Sequence, residues 1–554
     1  MWKAGLLIRA GCVAFVLITA SVLANRDLRA GQNSASEAGF RISGTVVSSL
    51  DGRPLGQARV WIADTGDLAS PPAMVTTANG HFEFNALKAG KFALNGAKRG
   101  FVPGAYEQHE QYSTAIVTGK ALDTEHLLLR LTPLAVISGR ILDEAGEAVR
   151  NGPVTLFEES HSGGMNRIVR SSTDTTDDQG TYEFPGLTPG NYFVSADARP
   201  WYAVHPASSG ETRGSRPDTD RKLDVAYLTT YYGGATEPED ATPIEVKGGD
   251  HVQADVQLSP VPALRIVFRI PEGDQATGAT TPMFHKRVFE NNEVVGMEMQ
   301  CVSNPPSCEI SGIPAGRYQV EFRDPRSAQP TWTEMDLTRD GQELDTTRGE
   351  PSATLRMSVR MAREENLPKP LVLALLDKRR RVVASRQVDK SGAVTFEGVR
   401  AGKYSVQANS NGRGYPAIRI ASGGIELSSA ELTIESGAAL DATVTLVAGV
   451  VTIEGFAKHG EKAIAGAMVV LVPKEPQSHL EMFRRDQSDL DGSFFIRDVV
   501  PGTYTIVALQ DAWGFPWLEP GVLAGYVLHG QDLTIGEPVG GALHLPNPVE
   551  VQPR

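Results

Sequence analysis

The chain has 554 residues, among them 56 glycines and 35 prolines, and a formal net charge of −13 that is spread without acidic or basic blocks. Such a length exceeds what one hydrophobic core supports, so several domains are expected. The scattered negative charge excludes a nucleic-acid-binding surface, which needs clustered cations; the short run Lys378-Arg379-Arg380-Arg381 lies between two apolar strand-like runs and reads as a solvated hairpin tip.

Lys3 and Arg9 flank the start of an uncharged apolar run, Ala10 to Ala24, that closes on Val22-Leu23-Ala24. This is the pattern of a Sec signal peptide over 1–24. The run is shorter than the roughly twenty residues that span a bilayer, so an uncleaved anchor is the alternative, and the only membrane contact expected. Cys12 does not make a lipoprotein signal, because Arg9 stands where an aliphatic residue is needed and the apolar run follows the cysteine. Residues 25–37 are small and polar and read as a linker.

From Phe40 onward one stretch recurs five times: Ala78–Leu94, Asp178–Val194, Cys308–Val320, Lys390–Val406 and Leu490–Ile506. In four copies two glycines keep the same interval, Gly80/Gly90, Gly180/Gly190, Gly392/Gly402 and Gly492/Gly502, whereas in the third Pro306 stands where the first glycine would be. Asp and Gly make a turn. Alternating apolar residues such as Tyr182, Phe184 and Leu187 make a half-buried strand. A second Gly-containing pair then reverses the chain, so each copy is expected to be a β-hairpin. Glycine and proline at this density exclude helix.

Recurrence at a long period marks an array of similar domains. The first unit (38–134) opens with Ile42–Val47, turns at Asp51-Gly52, continues with Ala58–Ile62 and closes with His126–Leu131. The second (135–262) opens at Ile137, carries a polar insertion from Ala198 to Asp224 and closes with Val252–Pro260. The third (263–363) runs from Leu264 to the strand Ala353–Met361. The fourth (364–449) runs from Pro370 to Leu446. The fifth (450–554) returns to the full plan, with Ile453-Glu454-Gly455 where the first has Ile42-Ser43-Gly44. About seven short strands per unit predict two-layered sandwiches, each with its own core. The expected fold is all-β, a tandem array of about five such sandwiches.

Cys301 and Cys308 flank the turn Asn304-Pro305-Pro306. In an exported chain that favours a cross-strand disulfide, with two free thiols as the alternative. A metal site is not expected, since no histidine cluster accompanies the pair.

The openings of units one, two and five, "ISGTVVSSLDGRPLGQARVWI", "ISGRILDEAGEAVRNGPVTLF" and "VTIEGFAKHGEKAIAGAMVVLV", each followed by the recurring stretch, resemble the carboxypeptidase regulatory-like domain. That resemblance implies a transthyretin-like β-sandwich, grouped with a wider carbohydrate-binding-like fold. It implies no peptidase. The chain contains no H-E-x-x-H and no G-x-S-x-G, and no histidine has Glu three positions on. No catalytic residue and no cofactor is expected.

Exposed aromatics are the candidate ligand contacts, because sugar rings stack on Trp and Tyr. Trp201 and Tyr202 follow the second repeat. Trp513, Phe515 and Trp517 follow the fifth, at the same loop of the unit. The alternative is that these rings cover the open end of a core. Asp174, Asp177 and Asp178, or Asp486, Asp489 and Asp491, are turn residues first and calcium ligands only on a spacing that fits no known loop. The reading is a non-catalytic exported protein in the periplasm or at the cell surface. Polysaccharide is the first partner to test, and an envelope protein bound through sheet edges is the alternative.

Overall fold

In the computed structural model the described residues are 39–554, apart from 66–71, 162, 206–221, 270–280, 304–305, 325–328, 364–365, 424, 427–430, 450, 478 and 537–540. The expected signal peptide and linker lie outside them, as do most of the insertion after Ala198 and the turn residues Asn304-Pro305. Among the described residues strand dominates, and α-helix is confined to Ala524–Val527. The fold is all-β, in tandem sandwiches.

The first sandwich shows the plan. One layer orders His81–Leu87, Phe40–Ser48 and Leu127–Leu131; the other orders Ala73–Val75, Arg59–Asp64, Gly90–Ala97 and Gly104–Ala105, with Ile116–Thr118 also on Gly90–Ala97. The opening and closing strands run parallel, Gly44 opposite Leu127 through Ser48 opposite Leu131. Alternate residues point inward: Phe82 and Phe84 from one layer meet Val60, Ile62 and Leu94 from the other. Separate buried clusters fill the second, third, fourth and fifth sandwiches in the same way.

The recurring stretch is not a paired hairpin. Its two strands lie in different layers. Thr181–Leu187 pairs with Ala135–Leu142, whereas Gly190–Ala196 pairs with Pro153–Ser160. Ser493–Val499 pairs with Val451–His459, whereas Gly502–Leu509 pairs with Met468–Pro473. The second glycine pair therefore carries the chain over the core from one sheet to the other. An alternating pattern fixes which face of a strand is buried, and it says nothing about which strand lies beside it.

Two local devices hold this crossing. The first glycine has positive φ in every copy that has it, +75°, +72°, +85° and +79° at Gly80, Gly180, Gly392 and Gly492. Its carbonyl accepts from Val46, Ile141, Val359 and Ala457 N respectively, so the turn is clipped to the opening strand. A Cβ there would stand 2.6–2.8 Å from a carbonyl oxygen of that strand. The second glycine lies under an aromatic ring two residues later. In four copies the ring is tyrosine, and its hydroxyl donates to the carbonyl four residues upstream: Tyr192 to Thr188, Tyr318 to Pro314, Tyr404 to Arg400 and Tyr504 to Val500, at 2.8–2.9 Å. The first copy has Phe92 instead.

The joins between units differ from the expected ones. Ala353–Met361, expected to close the third unit, is the opening strand of the fourth: it pairs with Ala393–Val399 and runs parallel to Ala439–Leu446. Its inward side chains, Leu355, Met357 and Val359, belong to the fourth core. Val225–Tyr227, expected within the second unit, adds to the third unit's strand Pro260–Arg269. A cluster of Phe157, Phe193, Tyr231, Val288 and Phe289 fuses the second and third sandwiches. In the fifth, Val549–Gln552 pairs with strands of both layers, which joins them into one nine-stranded sheet.

Candidate functional site

The described chain brings its first and fifth sandwiches together, and the contact is built from the fifth copy of the recurring stretch. The turn Asp489-Leu490-Asp491-Gly492 forms because Asp489 O accepts from Gly492 N at 2.8 Å. Its side chains do not face water. Leu490 packs against the first core. The Leu490 N–H donates to Ala115 O at 3.0 Å, and Ala115 N donates to Asp489 Oδ1 at 3.0 Å. Lys91 Nζ reaches Asp489 Oδ2 at 2.5 Å and Ser493 Oγ at 2.7 Å; Lys120 Nζ reaches Asp491 Oδ2 at 2.5 Å. The two carboxylates thus hold ammonium groups rather than a metal. Burial pushes the Asp489 carboxyl up, against the pull of Lys91. Burial acts the same way on Asp491, but Lys120 and Ser493 outweigh it and the carboxyl stays below its ordinary value.

Beside the turn stands Arg485, whose side chain is 4% exposed and pairs with Glu110 of the first sandwich. The guanidinium carbon lies 5.2 Å from the centre of the Tyr112 ring, 5.5 Å from Trp513 and 4.7 Å from Trp517. Three aromatic faces around one cation form a desolvated cation–π cage. His109 stacks on Trp513 with ring centres 5.0 Å apart, and Trp513 Nε1 donates to Gly466 O at 3.0 Å. Gln487 Nε2 donates to Glu107 O at 2.6 Å and to Thr114 Oγ1 at 2.9 Å.

The sequence-predicted aromatics therefore separate. Trp513 and Trp517 are turned inward, each 8% exposed, and cover the seam rather than an open surface. Phe515 is partly buried, with Tyr526 at 6.2 Å and the Arg554 guanidinium over its face at 5.1 Å. The loop also reaches the second sandwich, where Leu518 N donates to Gly164 O at 2.8 Å. Trp201 is 82% exposed, edge-on to Tyr202 with ring centres 5.8 Å apart. The Tyr202 hydroxyl donates to Glu144, which also accepts from Tyr227 at 2.7 Å. Burial and the Glu144 carboxylate push the Tyr202 hydroxyl up to about 12.

Asp177 Oδ1 accepts from Gln179 and Thr181 N, and Asp174 Oδ2 from Glu183 N, so both serve the backbone. Among the described residues no three His, Cys, Asp or Glu side chains gather as a metal site. Cys301 and Cys308 face each other across Glu298–Ser303 and Pro306–Pro314 and are joined as a disulfide. The basic run is not a fully solvated tip: Lys378 and Arg379 are exposed, but Arg381 pairs with Asp377 at 2.5 Å and Glu290 at 3.5 Å, and Arg380 turns inward.

The seam escaped sequence reading because its two halves stand 371 to 402 positions apart. The one local sign was the pair of acidic residues flanking Leu490, an apolar residue where a turn ordinarily has a polar one.

The family model of the carboxypeptidase regulatory-like domain matches residues 41–118 and 136–208, within the first and second sandwiches. No curated protein matches the chain. Solved structures similar to it include the Bacillus anthracis TIE protein, at 12% identity over 76% of each chain with a TM-score of 0.17. A Streptococcal ancillary pilin is similar at 13% identity over 53% of this chain and all of its own, TM-score 0.19. Two B repeat units of the collagen binding protein of Staphylococcus aureus are similar at 12% identity over 73% of this chain and 99% of theirs, TM-score 0.13. None superposes closely enough to transfer a partner or a ligand.

Proposed function

From two carboxypeptidase regulatory-like domains set in a series of β-sandwiches, we infer an exported, non-catalytic scaffold that binds proteins of the cell envelope through open sheet edges. The observation that carries this reading is the edge strand Arg167–Thr175. It is paired on one side only, by Pro153–Ser160, and its residues Arg170 to Thr173 are exposed along with Val169, 37% exposed. Such an edge presents unpaired backbone groups to an incoming strand. The disulfide and the apolar N-terminal run support export, since disulfides persist in oxidising compartments. No helix among the described residues is long and apolar enough to cross a membrane.

The test is a photo-crosslinking residue at Ser171 in the full chain, expressed in cells. Capture of a defined envelope protein, lost on Ser171→Pro with the melting temperature kept, is the expected outcome. No adduct, or one indifferent to the proline, removes the reading. Polysaccharide binding stays as a second reading because Trp201 stands exposed beside Tyr202. It requires glycan retention that falls at least tenfold on Trp201→Ala.

A further inference from the structure

Next to the seam lies a cavity of about 1040 Å³ whose walls come from the first, second, fourth and fifth sandwiches. Seven cations and five carboxylates line it, Glu481 and Asp486 among the latter. Lys91 is taken by Asp489, Arg485 by Glu110, and Arg413 by Asp498 at 2.7 Å. Four further guanidinium groups line the same walls: Arg167, Arg380, Arg484 and Arg497. Among the described residues none of these four has a carboxylate within ion-pairing distance. Arg484 donates to the backbone carbonyls of Glu481, Phe483 and Asp498 instead. Arg167 Nη2 donates to the backbone carbonyl of Arg380 at 3.1 Å. Two buried donors on the same walls, Arg413 Nε and Trp517 Nε1, have no hydrogen-bond partner.

Guanidinium groups without carboxylate partners on the walls of one cavity repel one another, most where they are half-buried as Arg167, Arg380 and Arg484 are and least at the exposed Arg497, and buried N–H donors without acceptors are costly. An oxyanion relieves both, because arginine forks match phosphate and sulfate oxygens. The volume is at the upper end for small-ligand sites, well beyond one inorganic ion. We propose that this cavity binds a compact organic molecule carrying at least two phosphate or sulfate groups, held by Arg167, Arg380, Arg484 and Arg497. The proposal goes beyond the scaffold reading and does not depend on it. One further fact fits it. Burial presses the Arg380 guanidinium below its ordinary pKa, against the pull of Glu481, and burial does the same to Arg484, a burden that a bound anion lightens.

Calorimetry on the full chain with inositol hexakisphosphate and with a sulfated heparin disaccharide tests the idea and separates the two sources. One-to-one binding of either probe is expected, weakening steeply with salt, while cellobiose gives none. The Arg380→Gln/Arg497→Gln double variant is expected to weaken binding at least tenfold, and Arg150→Gln, at an exposed position, to leave it unchanged. Phenylglyoxal labelling of the unmutated chain gives a readout that needs no variant: the probe should protect Arg380 and Arg497. Absence of one-to-one binding by both probes, or equal labelling with and without probe, overturns the proposal.

Discussion

At the scale of single residues, Arg485 lies in the strand Arg484–Gln487 with its charge caged by Tyr112, Trp513 and Trp517 and answered by Glu110. Arg485→Ala removes a buried cation and strands a carboxylate, which costs about 3 kcal/mol; a melting curve of the full chain measures it, and a loss below about 1 kcal/mol contradicts the cage. Asp486 carries a pH dependence. Burial raises its folded pKa from 3.8 to about 6, while its Oδ2 accepts from Phe495 N at 2.6 Å. The folded chain therefore holds the proton more tightly than the unfolded chain does. The resulting stabilisation is full below pH 4, declines from pH 4 to 6, and is gone above it. Asp486→Asn keeps an acceptor without the charge. It is expected to raise stability by up to about 3 kcal/mol at pH 8 and to change little at pH 4; urea midpoints at both values check the sign. The indole rings of Trp513 and Trp517 were visible as aromatics, but a sequence does not say whether a ring faces solvent or another sandwich.

At the scale of the element, the recurring stretch was legible wherever a backbone constraint writes itself into one residue. A positive-φ turn pressed against a carbonyl admits glycine alone, so Gly80, Gly180, Gly392 and Gly492 marked five-fold repetition from four copies. The inward alternation of Phe82 with Phe84 was readable for the same reason, a period of two. Pairing was not readable, because both a hairpin and a crossing between layers need a turn and two half-buried strands. Gly180→Ala is expected to cost at least about 2 kcal/mol, since the left-handed φ and a carbonyl 2.7 Å from the new Cβ act together. Gly146→Ala, with positive φ but open space around it, should cost about 1 kcal/mol. Equal losses in thermal unfolding would remove the steric part of the explanation. Ala353–Met361 reads as a strand from its alternation, but alternation does not assign it to a sandwich. Its alternating Leu355, Met357 and Val359 would suit either core, and only the parallel ladder with Ala439–Leu446 decides.

At the scale of the molecule, chain order does not give spatial order. The first sandwich completes its surface only when the fifth supplies Leu490, and nothing near Leu490 in sequence names its partner. Leu490→Asp places a charge against the first core and is expected to uncouple the two sandwiches. Urea unfolding followed by tryptophan fluorescence should then show an early transition reporting Trp513 and Trp517, absent from the unmutated chain. A single unshifted transition in the variant would mean that the seam contributes nothing to cooperativity.

The clasp between the first and fifth sandwiches also decides where a pull is felt. Tension applied between Phe40 and Arg554 loads Lys91, Lys120 and Arg485 together with the contacts that tie the fifth sandwich to the second and fourth, Leu518 N on Gly164 O and Arg413 with Asp498. The sandwiches strung between then share the load with the clasp, and the chain lengthens only when these contacts part as a set.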